Sequence, residues 1–126
     1  MTVLMQPPNM GDVLKYELNP NFTRETVTLL AGTAYPVGAV LGRITANGKY
    51  KLATSGGSDG AQTAAAVLLY AVDATTADAT AIILARGPSI VSKAALVFDA
   101  TIDDAAKIAT KHGQLAALGI IPRDTA

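Results

Sequence analysis

Apolar and polar positions alternate in short runs along most of this chain, and glycine, proline, asparagine and aspartate punctuate them at strand-length intervals. Thr26-Val27-Thr28-Leu29-Leu30 is rich in β-branched residues and stops at Gly32, which predicts a strand. A second run, residues 37–46, is interrupted by Gly38 and Gly42 and ends at Asn47-Gly48. Asn-Gly is the strongest short hairpin signal, because a tight type I′ turn needs positive φ at both positions. Residues 49–53 would return antiparallel, with Tyr50 opposite Thr45 and Leu52 opposite Arg43. Residues 55–60 read as a flexible loop, and residues 64–71 and 81–85 as apolar strands around a polar turn over 73–78. Arg86-Gly87-Pro88 makes a sharp corner, and Ile90-Val91-Ser92 and residues 95–98 supply two more short strands. The pattern predicts a compact, mainly β (mixed α+β) domain.

The C-terminal part departs from this rhythm. Thr101 is a candidate N-cap, and Asp103 and Asp104 suit the positive end of a helix. Ile102, Ala105, Ala106, Ile108 and Ala109 recur at helical spacing, with Lys107 and Lys111 on the outer face. Leu115 and Leu118 extend the pattern. Gly113 weakens its middle, so the segment is one flawed helix or two short ones. Gly119 suits a left-handed cap, and Pro122 stops the helix after Ile120-Ile121.

Residues 1–25 differ again. Pro7-Pro8, Asn9, Gly11 and Asn19-Pro20-Asn21 break regular structure, and between them lies Val13-Leu14-Lys15-Tyr16-Glu17-Leu18. Extended, this stretch puts Leu14, Tyr16 and Leu18 on one face and Lys15 and Glu17 on the other. It is an amphipathic strand with no hairpin partner beside it. It either docks on its own domain or acts as an arm that adds a strand to another protein's sheet. The expected division is an extended N-terminal arm, 1–25, and a domain, 26–126.

Composition sharpens the picture in one respect. Charged residues make up only 16% of the 126, while half the chain is hydrophobic, much of it alanine. A small soluble domain usually carries about a quarter charged residues, so some apolar surface is expected to be covered by other subunits or a partner. Ten basic and ten acidic residues cancel, which argues against a nucleic-acid partner. No stretch is long enough to span a membrane, and residues 1–10 lack the pattern of a signal peptide.

Reactive chemistry is scarce. There is no cysteine and one histidine, His112. His112 has no nucleophile elbow to serve, and near a helix C-terminus its cationic form would be favoured by the dipole. Asp103 and Asp104 are adjacent and diverge on a helix. Asp73 and Asp78 flank a threonine-rich turn that would hold calcium weakly at best, without EF-hand spacing. The glycines of 55–60 lead into Ala61-Gln62-Thr63 instead of the Gly-Lys-Ser/Thr of a P-loop. No catalytic residue, cofactor or metal is expected, and the protein is expected to work by binding.

Several stretches, taken in order, resemble the tailed-phage head decoration proteins. They are residues 23–32 and 35–42, then Lys49-Tyr50-Lys51, Ser58-Asp59-Gly60, Ala71-Val72-Asp73-Ala74, Arg86-Gly87-Pro88 and Leu118-Gly119-Ile120. The resemblance runs from about Gly11 onward and leaves out residues 1–10; Gly113 departs from the regular helix of that family. It implies a compact β-clip-like domain made in the host cytoplasm and assembled as a homotrimer. Such trimers sit on the outer surface of the virion head, at threefold positions of the expanded shell. There they cement the major capsid protein against the pressure of packaged DNA. The family's N-terminal arm reaches the capsid protein, which makes Val13, Leu14, Lys15, Tyr16 and Leu18 the candidate capsid-binding residues. The alternative is another trimeric virion component, a spike base or adhesion module, also without enzymatic activity.

Overall fold

A computed structural model describes residues 9–124 of the chain. The fold is mainly β. Its elements are α1 (Met10–Val13), β1 (Leu14–Glu17), α2 (Pro20–Thr23), β2 (Arg24–Leu29), β3 (Thr33–Tyr35), β4 (Val40–Arg43), β5 (Tyr50–Leu52) and β6 (Ala64–Leu68). There follow β7 (Val72–Ala74), β8 (Ala79–Leu84), β9 (Ser89–Ser92), a 3₁₀ turn (Lys93–Ala95), α3 (Ala105–Ala116) and β10 (Ile120–Arg123). Five strands close into a barrel in the order β2-β5-β4-β6-β8, beside a three-stranded sheet, β1-β9-β10, and a two-stranded ribbon, β3-β7.

The barrel wall separates two apolar cores. Inside it lie Leu29, Leu41, Ala66, Leu68, Ala81 and Ile83, with Tyr35, Ala39 and Ala74 of the same cluster. Outside, Val40, Ala64, Val67, Leu69 and Leu84 pack against Val13, Val91, Leu115 and Ile120 from α1, the three-stranded sheet and α3. Strands buried on both faces carry unbroken apolar runs, which is why residues 64–69 show no alternation. A five-stranded barrel is narrow, so its alanines leave room for the opposing Leu and Ile side chains. At Gly42 the wall touches the loop ahead of β6: a Cβ there would meet the Ala61 carbonyl oxygen at 2.3 Å.

The predicted hairpin forms, in another register. Arg43 pairs with Tyr50 and Leu41 with Leu52, a two-residue shift that keeps each side chain on its expected face. Only Gly48 of the Asn-Gly pair takes positive φ (73°). The loop therefore widens: Ile44 N–H donates to the Lys49 carbonyl at 2.8 Å and Gly48 N–H to the Ile44 carbonyl at 2.8 Å. Asn47 Oδ1 accepts from Lys49 N–H at 2.9 Å instead of entering the turn's left-handed region.

Other expectations need correcting. The strand over 95–98 is the 3₁₀ turn followed by a single bridge, Ala39 to Val97. The polar turn 73–78 begins inside β7, which pairs with β3, and the tail after Gly119 is β10, lying parallel to β9. Pro122 is tolerated because β10 is an edge strand. The loop 55–60 is tied down by Asp59, whose carbonyl accepts from Thr45 N–H at 2.8 Å and whose carboxylate lies 2.6 Å from Lys51 Nζ.

The C-terminal helix is one helix of 12 residues, capped by Asp104, whose side chain accepts from Lys107 N–H at 2.8 Å. Its inner face is not the alanine stripe. Ala105, Ala106 and Ala109 are exposed, and Lys111 and Leu115 are buried, with Ile108 and His112 half-buried. Lys111 points inward, where Nζ donates to the Gln62 carbonyl and lies 3.3 Å from Gln114 Oε1. That amide oxygen also accepts from Ala64 N–H at 2.8 Å. The helix is thus pinned to the start of β6 by polar contacts. Burial lowers the pKa of the Lys111 ammonium below its ordinary value.

Two glycine substitutions probe these statements in opposite directions by urea unfolding. Gly42→Ala forces the Ala61 backbone to move and should cost about 1–3 kcal/mol or more. Gly113 is exposed on α3 and a Cβ there meets nothing within 4 Å, so Gly113→Ala should stabilise by about 0.5–1 kcal/mol.

Candidate binding surface

The described chain begins at a helix start built from its own sequence. Asn9 Oδ1 accepts from Asp12 N–H at 3.3 Å while Asn9 N–H donates to Asp12 Oδ2 at 2.9 Å, a reciprocal capping box. It sets the single turn of α1, which drives Val13 into the core with no exposed surface. From there β1 docks antiparallel on β9. Of the two readings open for this amphipathic strand, docking on its own domain is the one seen. From Asn9 onward the expected arm is folded against the body, and the boundary at residue 25 falls inside β2. Residues 1–8 lie outside the described residues.

The five candidate residues are placed differently from one another. Leu14 packs against the core beside Val13. The register with β9 slips between Leu14 and Tyr16, and such a bulge re-aims the side chains that follow it. Leu14 and Tyr16 therefore do not share a face: Leu14 is half-buried, while Lys15, Tyr16 and Leu18 are exposed. Lys15 Nζ donates to the Gly11 carbonyl at 2.9 Å.

Beyond β1 the chain turns through α2. Asn19 caps it by accepting from Asn21 N–H at 2.9 Å, and Pro20 takes the first helical position. The turn is held from both sides. Glu17 Oε1 and Oε2 receive the Arg24 guanidinium at 2.5 and 3.2 Å, and Oε2 accepts from the buried Thr23 hydroxyl at 2.6 Å. On the other side Arg86 donates to the Phe22 carbonyl, meets Glu25 Oε1 at 2.6 Å and sits 5.5 Å from the Phe22 ring centre. These contacts hold up three apolar side chains that are about half exposed: Tyr16 at 48%, Leu18 at 58% and Phe22 at 52%. Phe22 is missing from the sequence-derived set. Its signal was the Asn-Pro-Asn start of a helical turn, which fixes where the next aromatic points.

A second feature lies where the described chain begins. Met10, Val37, Leu69 and Tyr70 line a largely apolar groove of about 400 Å³. Tyr70 also raises the pKa of Arg24, after the larger effect of the Glu17 hydrogen bond.

The remaining candidate groups are engaged in local structure. Asp73 Oδ1 accepts from the Thr75 N–H and hydroxyl at 3.1 and 2.6 Å, and Asp78 pairs with Lys49 at 2.5 Å and accepts from Ala31 N–H at 2.8 Å. Among the described residues no three of His, Asp and Glu converge on one point, and no helix is long and apolar enough to cross a membrane. His112 sits 5.9 Å from the Phe98 ring, and its Nε2 is buried without a hydrogen-bond partner. Burial first, then the charge of Lys93, lowers its pKa below 6.5, against a smaller opposite effect of Asp124. The dipole expected to favour a cationic ring is overridden.

A family model described as bacteriophage lambda head decoration protein D matches residues 3–120. It extends into the N-terminal residues that the quoted stretches leave out. No curated protein matches the chain.

Two titrations follow from the site. Burial would raise the pKa of Glu17, but hydrogen bonds from Arg24 and Thr23 and the Arg24 charge outweigh it and hold the carboxyl below its ordinary 4.5. A depressed carboxyl contributes stability fully present above its unfolded pKa and lost as pH falls through the folded one. Glu17→Gln should cost about 1–3 kcal/mol at neutral pH, and the gap from wild type should narrow in unfolding experiments as the pH falls below the ordinary 4.5 and through the depressed folded value. His112, followed by NMR, should titrate with a midpoint below 6.5.

Proposed function

The chain belongs to the family of bacteriophage head decoration proteins, and on that premise we propose that it acts as a homotrimer on the outer surface of the expanded head. There it binds at threefold positions and cements neighbouring major capsid protein subunits against the pressure of packaged DNA. Decoration of the phage capsid is what family membership carries. The observation that supports the finer reading is the apolar set Tyr16, Leu18 and Phe22, exposed on a turn that two ion pairs hold in place.

The physical case rests on preorganisation. A contact surface already ordered in the free protein loses little side-chain and loop freedom on docking. Aromatic and leucine side chains supply most of the contact area, and the polar rim supplied by Lys15, Asn19 and Asn21 sets orientation. A trimer carries three such surfaces, and linked sites gain roughly 10²–10⁴ in apparent affinity without new contacts. The capsid-facing part is then residues 1–25, folded from Asn9 onward, and the rest is the body that holds three copies together. No step in this role calls for bond-making chemistry, and the protein works without catalysis.

Removing residues 1–20 would take Val13 out of the core and β1 off its sheet, so point substitutions separate contact from folding. Leu18→Asp combined with Phe22→Asp should leave the trimer mass unchanged in analytical ultracentrifugation. The same variant should weaken binding to undecorated expanded heads by about 100-fold. Undiminished binding by a folded double variant would sink the proposal, as would a wild-type chain that stays monomeric at micromolar concentration.

A further inference from the structure

The barrel is closed unevenly. Every residue of β2 pairs with β8, from Arg24 opposite Leu84 to Leu29 opposite Ala79. On its other side β2 meets β5 only at its end, through Leu29 opposite Tyr50, where Leu30 N–H donates to the Tyr50 carbonyl at 2.8 Å. Ala85 N–H donates to the Thr23 carbonyl at 2.8 Å in the register that pairs β2 with β8. By the alternation of an antiparallel ladder, the odd-numbered residues of β2 turn their N–H and C=O groups toward β8. The even-numbered ones, Thr26 among them, turn theirs away. Neither main-chain group of Thr26 has a hydrogen-bond partner among the described residues.

That open strand edge borders a cleft of about 510 Å³, whose far wall is the end of the β4–β5 hairpin. Its lining holds three cations, Arg43, Lys49 and Arg86, against one acid, Glu25, in a chain whose net charge is zero. Glu25 is matched to Arg86, and Lys49 is matched to Asp78, which lies outside the lining. Arg43 is exposed, and its guanidinium has no ion-pair or hydrogen-bond partner among the described residues.

We propose that the cleft between β2 and the β4–β5 hairpin receives an extended acidic polypeptide segment, which pairs its main chain with the open edge of β2 around Thr26 and sets a carboxylate on Arg43. The edge selects for a polypeptide, since outward N–H and C=O groups recurring every second residue match only another strand. The excess of cations selects for acidic side chains and disfavours basic ones. This site lies on the barrel and does not rest on the capsid-binding surface around Leu18 and Phe22.

The test uses the whole chain, labelled with ¹⁵N, and two blocked five-residue probes: acetyl-Val-Glu-Val-Glu-Val-amide and its lysine counterpart. The glutamate peptide should shift and protect the Thr26 and Thr28 amides and shift those of Lys49 and Tyr50. The lysine peptide should bind about tenfold more weakly or worse. Arg43→Glu, at an exposed position, should reverse that preference. Thr26→Pro should abolish binding by removing a donor on the open side while sparing the β8 ladder. Equal response to both peptides, or shifts confined to another surface, overturns the proposal. So does no response at millimolar peptide, the result expected if residues 1–8 or a second copy fill the cleft instead.

Discussion

Closing a sheet with only five strands leaves an interior so narrow that large side chains cannot meet from every wall at once. That restriction organises the chain. Leu29, Leu41, Leu68 and Ile83 fill the barrel because Ala66 and Ala81, on the same walls, give way to them. The alanine richness that looks like a diluted hydrophobic composition is therefore partly a packing requirement. The same economy of space governs the backbone. β4 passes close to Ala61 at Gly42, and the corner before β9 crosses the turn between α3 and β10, where a Cβ on Gly87 would strike the Gly119 carbonyl oxygen at 1.8 Å. In both places a methyl group would push one layer off the next.

A thin barrel buries too little apolar area to carry a domain alone, and the fold answers by using the wall twice. Val40, Val67 and Leu84 face outward into a second core, closed by α1, α3 and the β1-β9-β10 sheet. That outer layer needs fixing in position, and polar groups fix it. Lys111 reaches from α3 to the Gln62 carbonyl, and Gln114 bridges the same helix to Ala64. At the other end of the layer the Glu17–Arg24 pair joins the end of β1 to the start of β2. Hydrogen-bonded contacts of this kind have one acceptable geometry, whereas alanine faces slide with little cost. Specificity in this outer layer comes largely from its few charges.

The legible parts of the sequence were those where one local pattern had one outcome. The strand expected over 26–30, the Asn-Gly hairpin and the apolar runs expected at 64–71 and 81–85 correspond to β2, β4–β5, β6 and β8, each shifted or shortened by a few residues, and the C-terminal helix forms but is capped by Asp104 instead of Thr101. What failed was register and facing, which tertiary contacts decide. The alanines at 105, 106 and 109 mark a helical period without saying which side is inward, because alanine gains little from burial. A lysine then took the inner position because carbonyl and amide oxygens were waiting there. β10 was invisible because Pro122 denies a strand except at an edge, and edges are not written in local sequence. The exposed apolar set was half visible: Tyr16 and Leu18 stood out by alternation, but the bulge that separates them from Leu14 has no signature short of the pairing with β9.

The N-terminal segment shows how the two demands meet. A free arm would gain reach, but each residue it ordered on docking would cost about 1–2 kcal/mol of conformational entropy. Here the free energy of ordering residues 9–24 is offset within the fold, by burying Val13 and pairing β1 with β9. Tyr16, Leu18 and Phe22 are then presented from a turn clamped by Arg24 on one side and Arg86 on the other. Arg86 also pairs with Glu25 at the barrel cleft, so one guanidinium supports both the exposed turn and the wall beside the open β2 edge. The two surfaces are mechanically joined through the first residues of β2.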